Sequence, residues 1–175
     1  MSDIHIRPLT SEPETLALLS QMLIETVAQG GSVGFMHPVE PKDALAFWEK
    51  ALAAAGRGER IVLGGFDRGA LVGAVSLLLD TPPNQPHRAD IAKMMTRVGH
   101  RGRGVATALP REAEASAVAR GRTLLTLDTA TEEGASALYE KNGFVFAGEI
   151  PDYALKPHGG LTGTRIYWKR IGPRA

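Results

Sequence analysis

Arg101-Gly102-Arg103-Gly104-Val105-Ala106 stands between two runs of different character. Before it, Ala89 to Val98 reads as a strand; after it, Thr107-Ala108-Leu109 and the Ala/Glu-rich run to Gly121 read as a helix. A strand that passes through a glycine turn straight into a helix narrows the choice to folds in which a sheet end feeds a helix. It also has a chemical consequence. The first N–H groups of a helix have no intrahelical acceptor, and the helix dipole is positive at that end. Such a turn is a ready site for a phosphate, and glycine lets the anion approach the main chain without meeting a Cβ. The same six residues could also be a surface turn that caps a helix. Arg97, His100, Arg101 and Arg103 add positive charge here, whereas the whole chain carries a formal net charge of only +1. A local cluster on a nearly neutral chain suits one polyphosphate, not a nucleic-acid track or an anionic membrane.

The rest of the chain supplies alternating elements. Ile4-His5-Ile6-Arg7 predicts a first strand. Ser11 and Glu14 fit a capping box, with Pro13 in the first turn of a helix whose face is Leu16, Leu19, Leu23 and Val27 and which stops at Gly30-Gly31. Leu45, Trp48 and Leu52 mark a second helical face, ended at Gly56. Ile61-Val62-Leu63 and Leu71 to Val75, either side of Asp67-Arg68-Gly69, predict an antiparallel hairpin. Residues 81–86 hold three prolines and read as a loop. Thr123 to Asp128 predicts a buried strand, Ala135 to Asn142 a short helix stopped by Gly143, and Phe144-Val145-Phe146 and Arg165 to Trp168 the closing strands. The sum is a mixed α/β sheet packed with helices. At 175 residues, with no repeat, a single domain over 1–175 is expected. Pro110, inside the predicted long helix, cannot donate to the carbonyl of Ala106 and should bend it.

Several chemistries find no support. The chain has no cysteine, so disulfides and cysteine nucleophiles are excluded. His5, His37, His87, His100 and His158 show no paired ligand spacing, and no metal is expected. The start, Met1 to His5, has no signal-peptide core and no apolar run is long enough to span a membrane, so a cytoplasmic protein is expected. Gly30-Gly31-Ser32-Val33-Gly34 fits Gly-x-Ser-x-Gly, with Asp128 and His158 following in the order of an α/β-hydrolase triad. That motif must join a strand to a helix, and here it follows a helix.

Arg101, Gly104 and Ala106 fit the pattern [Gln/Arg]-x-x-Gly-x-[Gly/Ala], and Leu138-Tyr139-Glu140-Lys141-Asn142-Gly143-Phe144 follows downstream. The pair resembles the two landmarks of the GNAT superfamily of acyl-CoA N-acyltransferases. The resemblance implies a mostly antiparallel central sheet of about seven strands flanked by about four helices, with acetyl-CoA as co-substrate. It implies coenzyme contacts from the main chain at Met95, Thr96 and Val98, from the loop Arg101, Gly102, Arg103, Gly104, Val105, Ala106 and Thr107, and from Lys141. Tyr139 would be the general acid for the thiolate. The amine must lose a proton before it attacks. Asp90 and Asp128, both read as strand-end carboxylates, are the candidates for that base or for binding the substrate ammonium group.

Glu25-Thr26-Val27, Gly31 to Met36, Leu127-Asp128-Thr129, Gly148 to Tyr153 and Ile166 to Lys169 are further similar to the tabtoxin-resistance acetyltransferases. This branch implies a small-molecule amine as acceptor, in the class of amino-acid-like toxins or antibiotics, and a monomer or homodimer. Residues 31–37, 81–88 and 153–163 would wall the acceptor site, with Ser32, Phe35, Met36 and Tyr153 as contacts. Two departures stand out. Asp90 is a carbon shorter than the glutamate expected there, and Glu132 stands where many relatives carry asparagine. Together with Pro110, they keep open an alternative, a non-catalytic acyl-CoA-binding or sensing module.

Overall fold

The computed structural model describes residues 4–132 and 134–173; Met1 to Asp3, part of the chain start considered above, lie outside the described residues. The elements are β1 (Ile4–Pro8), α1 (Pro13–Ala28), α2 (Pro41–Gly56), β2 (Arg60–Asp67), β3 (Ala70–Leu78), β4 (Arg88–Thr96), α3 (Val105–Val118), β5 (Leu124–Ala130), α4 (Ser136–Lys141), β6 (Val145–Leu155) and β7 (Leu161–Arg170), with a 3-10 turn at Val98–His100. Seven strands form one sheet in the order β1-β2-β3-β4-β5-β7-β6, and only β4 and β5 run parallel. This is the expected mixed, mostly antiparallel sheet with four helices.

Two cores sandwich the sheet. α1 and α2 cover one face, burying Leu19, Met22, Leu23, Val27 and Trp48. α3 and Tyr139 of α4 cover the other, with Val105, Leu109 and Ala113 against Val72, Ile91 and Leu125. Of the face foreseen for α1, Leu19, Leu23 and Val27 are buried, and Leu16 is half-buried against the same core. On α2, however, Leu45 is 39% exposed, and the buried stripe runs through Ala44, Trp48, Ala51 and Leu52. Alanine is small enough to seat that helix closely, but it is a weak hydrophobic signal in a sequence.

Both α1 and α2 begin on a proline, where the missing N–H costs nothing and the fixed φ suits a first turn. The N-cap of α1 is Glu12, not Ser11, and no side chain caps it. Pro13 sets the start, which moves the expected capping box out of register. The β2–β3 hairpin turns on Arg68 and Gly69, with φ of 49° and 84°. A two-residue turn with both φ values positive matches the twist of the flanking strands. α3 runs through the buried Pro110 as one helix.

Two features of β4 shape the site. It pairs with β5 only over Arg88–Asp90, opposite Leu124–Thr126. Beyond that the two parallel strands part. Second, its register against β3 jumps. Met95 stands opposite Ala74 and Ala92 opposite Ser76, so Lys93 and Met94 share Val75. This is a β-bulge, and at Lys93 φ is 53°. Ala89 and Ile91 face the α3 core before it, whereas Met95 faces the α1/α2 core after it.

Candidate active site

The parting of β4 and β5 opens a cavity of about 770 Å³, within the range of ligand sites. Its walls are Ile91 to Thr96 on β4, Asp128 to Ala130 on β5, Gly30 to Gly34 after α1, Leu138 and Tyr139 on α4, and Tyr153, Ala154 and Thr162 to Thr164 on β6 and β7. From Ile91 onward β4 has no β5 partner, so this strand edge turns main-chain polar groups toward the cavity.

The glycine loop closes one end. Gly102 (φ 73°) and Gly104 (φ 87°) are left-handed, and Gly104 is the N-cap of α3. A residue with a Cβ is strained there. A Cβ on either would meet nothing within 4 Å, so the space beside them is open. The N–H groups of Gly102, Gly104, Val105 and Ala106 have no acceptor from a turn or loop carbonyl among the described residues, and the first acceptor of the helix is Gly104 itself, bonded by Thr107 and Ala108. Arg101 and Ala106 reach the cavity. The remaining basic residues are engaged elsewhere. His100 and Arg103 stand 3.8 and 3.7 Å from Asp67 and brace the loop to the β2–β3 turn. Arg97 pairs with Glu25 at 2.9 Å and bonds the Leu71 carbonyl, tying the end of β4 to α1.

Gly73 is a determinant that no local sequence pattern marks. A Cβ there would lie 2.6 Å from Val105 Cγ1 and 2.9 Å from the Met95 carbonyl oxygen. Its absence lets the first turn of α3 settle on β3, which aims the loop at the cavity. Gly73→Val is expected to cost about 1–3 kcal/mol through overpacking, read as a lower urea midpoint at unchanged m. An unchanged midpoint would show that α3 seats without this close approach.

Tyr139 is 6% exposed, with its ring against Phe144 and Tyr167 and its hydroxyl 3.9 Å from Met94 Sδ. It is both a core aromatic and a wall of the cavity. Across the cavity the exposed Asp128 accepts a 2.8 Å hydrogen bond from Thr164 Oγ1, which fixes the carboxylate on β5. Ser32 and Tyr153 also line the cavity.

Other expected residues lie elsewhere. Asp90 sits where β4 and β5 are still paired, ion-paired to Arg88 and accepting from the Thr126 hydroxyl. It is at the N-terminal end of β4, whereas the loop follows the C-terminal end; six residues of strand span ~20 Å. Being next to a strand end did not tell which end. Phe35 packs edge-on against Phe47 at 5.3 Å, and Met36 is 47% exposed outside the cavity walls. Val98, Thr107 and the exposed Lys141 do not line the cavity either. Residues 81–88 lie beside Arg122, which bonds the carbonyls of Pro86, Arg88 and Leu79, and they do not line the cavity. The acceptor wall is instead locked by His37, whose N–H donates to the Pro157 carbonyl and whose ring meets His158 at 4.5 Å. Glu132 pairs with Lys156 at 3.1 Å. Ser32 lies between α1 and α2 and not between a strand and a helix, so the Gly-x-Ser-x-Gly run does not form a nucleophile elbow. No cluster of three metal-ligating side chains occurs among the described residues.

A sheet that parts at its parallel strands beside a glycine loop opening a helix makes a cleft with an anion-binding end. The model of the acetyltransferase (GNAT) family matches residues 24–144, and the chain belongs to that family. Solved structures agree in fold. A GNAT superfamily phosphinothricin acetyltransferase from Sinorhizobium meliloti, in complex with acetyl-CoA, superposes with a TM-score of 0.80 at 18% identity over 97% of this chain and 89% of that one. A ribosomal-protein-alanine N-acetyltransferase from Brucella melitensis gives 0.80 at 20% identity over 95% and 99%. An N-acetyltransferase from Staphylococcus aureus Mu50 gives 0.80 at 18% over 98% and 100%.

Proposed function

We propose that the chain is a single-domain, acetyl-CoA-dependent N-acetyltransferase whose acceptor is the amine of a small molecule, in the amino-acid-like class of the tabtoxin-resistance branch. The observation that carries this is the cavity between the parted β4 and β5, which has the glycine loop at its end and Asp128 and Tyr139 on its walls. The loop N–H groups and Arg101 would hold the pyrophosphate. The free edge of β4 around Met95 and Thr96 would hold the pantetheine arm and polarise the thioester carbonyl. That the acetyl-CoA complex of the Sinorhizobium enzyme shares this fold supports the assignment.

In the reaction, the neutral amine attacks the thioester carbon and a tetrahedral oxyanion forms. The C–S bond then breaks, giving an amide and a thiolate. Asp128 receives the amine proton, directly or through water, and Tyr139 protonates the departing sulfur. One partner of the Tyr139 hydroxyl, the Met94 thioether at 3.9 Å, is a weak acceptor. Asp90 has no part in these steps.

Tyr139→Phe separates this role from packing. Phenylalanine keeps the ring contacts with Phe144 and Tyr167. The expected result is a fall in kcat of ~100-fold with acetyl-CoA affinity unchanged, because the hydroxyl acts as sulfur departs. A parent kcat would leave Tyr139 as a core residue only.

A further inference from the structure

Lys93 is a charge that the proposed reaction does not use. It lies in the apolar run Ile91-Ala92-Lys93-Met94-Met95 of β4. Strict alternation from Ala89 and Ile91 would send it into the α3 core, where an ammonium group is costly. The bulge opposite Val75 redirects it. Its Nζ stands 5.7 Å from the ring centre of Phe47 on α2, and a Cβ on Gly34 would be 3.0 Å from it. The left-handed φ of 53° is unusual for a lysine, and such strain persists where the surrounding structure enforces it.

The ammonium group is half-buried and makes no ion pair among the described residues. Burial lowers its pKa below the ordinary lysine value, and the charge of Asp128 works against that shift. Lys93 and Asp128 line the same cavity from neighbouring strands. Among the described residues, the acceptor side therefore presents Lys93 and Asp128 as a cation and an anion that are not paired directly with each other.

We propose that Lys93 is the acid-recognising group of the acceptor site, so that the enzyme selects amines that also carry a carboxylate, as a free amino acid does. This deepens the acetyltransferase assignment and rests on it. Asp128 attracts the ammonium end of such a molecule before deprotonation, and Lys93 takes the carboxylate. A simple monoamine leaves Lys93 unmatched, and a diamine brings a second cation against it. Selection is thus partly repulsive. Among the described residues Lys93 has the Phe47 ring and the Gly34 main chain beside it and no directly paired carboxylate, so the incoming carboxylate completes the site.

The experiment compares L-amino acids with their primary amides, in the parent and in Lys93→Met, which keeps the apolar stem. kcat/KM for each acid and its amide is read from acetyl-CoA-dependent thiol release. In the parent, acids are expected to exceed their amides by at least ~10-fold, and in Lys93→Met the ratio should fall toward one through a higher KM for the acids. Lys93→Gln, which keeps a polar terminus, is the second variant, and unchanged acetyl-CoA affinity in both confirms intact folding. Amides turned over as well as acids by the parent, or an acid/amide ratio unaltered in both variants, would overturn the role of Lys93 while leaving acetyl transfer intact. Calorimetric titration of the same acids into enzyme saturated with coenzyme A reads the site without turnover. Equal affinity in parent and Lys93→Met would overturn the inference even if no amine were acetylated.

Discussion

Asp128→Asn is expected to lower kcat by ~10²–10⁴-fold while acetyl-CoA affinity stays at the parent value. Asparagine has nearly the same shape and can keep the hydrogen bond from Thr164 Oγ1, so the wall of the cavity should stand. What it lacks is a usable proton acceptor at neutral pH. The ascending limb of the pH–rate profile, which reports the base losing its proton, should therefore disappear in the variant. If Asp128 only anchors the acceptor's ammonium group, the loss would instead fall on KM and the profile would keep its shape. Parent values of kcat, KM and profile would remove Asp128 from the reaction. Asp90→Asn is the built-in control. Its carboxylate is bound to Arg88 and Thr126 away from the cavity, so its effect should be on stability and not on the pH profile.

The second large effect is expected at the glycine loop. Gly104→Val forces a β-branched residue into a φ of 87° at the N-cap of α3 and fills the open space beside it. Acetyl-CoA affinity should fall at least ~10-fold, or about 1.4 kcal/mol, in calorimetric titration. Arg101→Glu should do the same by charge alone, since Arg101 reaches the cavity and Arg103 and His100 are turned toward Asp67. The two variants separate shape from electrostatics. Raising the salt concentration should shrink the Arg101→Glu deficit and leave that of Gly104→Val. Unchanged affinity in both would mean that the loop merely caps α3.

What the sequence revealed and what it hid have a physical division. The loop at 101–106, the strand before it and the helix after it are local features, and glycine spacing and hydrophobic period report them directly. The same is true of Tyr139, which sits on a short helix fixed by its own neighbours and Gly143. The parting of β4 from β5 is not local. It depends on which strands end up adjacent and where their pairing stops, which is why Asp90 looked like a site residue and lies at the closed end. Phe35 illustrates the same limit, since an aromatic in a loop beside a site can equally fill the gap above Phe47. The bulge at Lys93 flips the side-chain parity of β4, and no periodicity argument survives a flip. A signal was nevertheless present. A lysine inside Ile91–Met95 cannot be accommodated by a regular strand buried on both faces. Gly73 left none, because a glycine in a strand does not name the helix that will press on it.

Transfer of an acetyl group from coenzyme to amine is tested most directly by following free thiol when the protein is mixed with acetyl-CoA and a panel of small amines, with and without each amine. Thiol release that requires both the protein and a particular amine, and that yields the N-acetylated product in equal amount by mass spectrometry, is the expected result. Tight acetyl-CoA binding with no amine-dependent thiol across amino acids, their amides and simple amines would contradict catalysis and leave a coenzyme-binding module in its place.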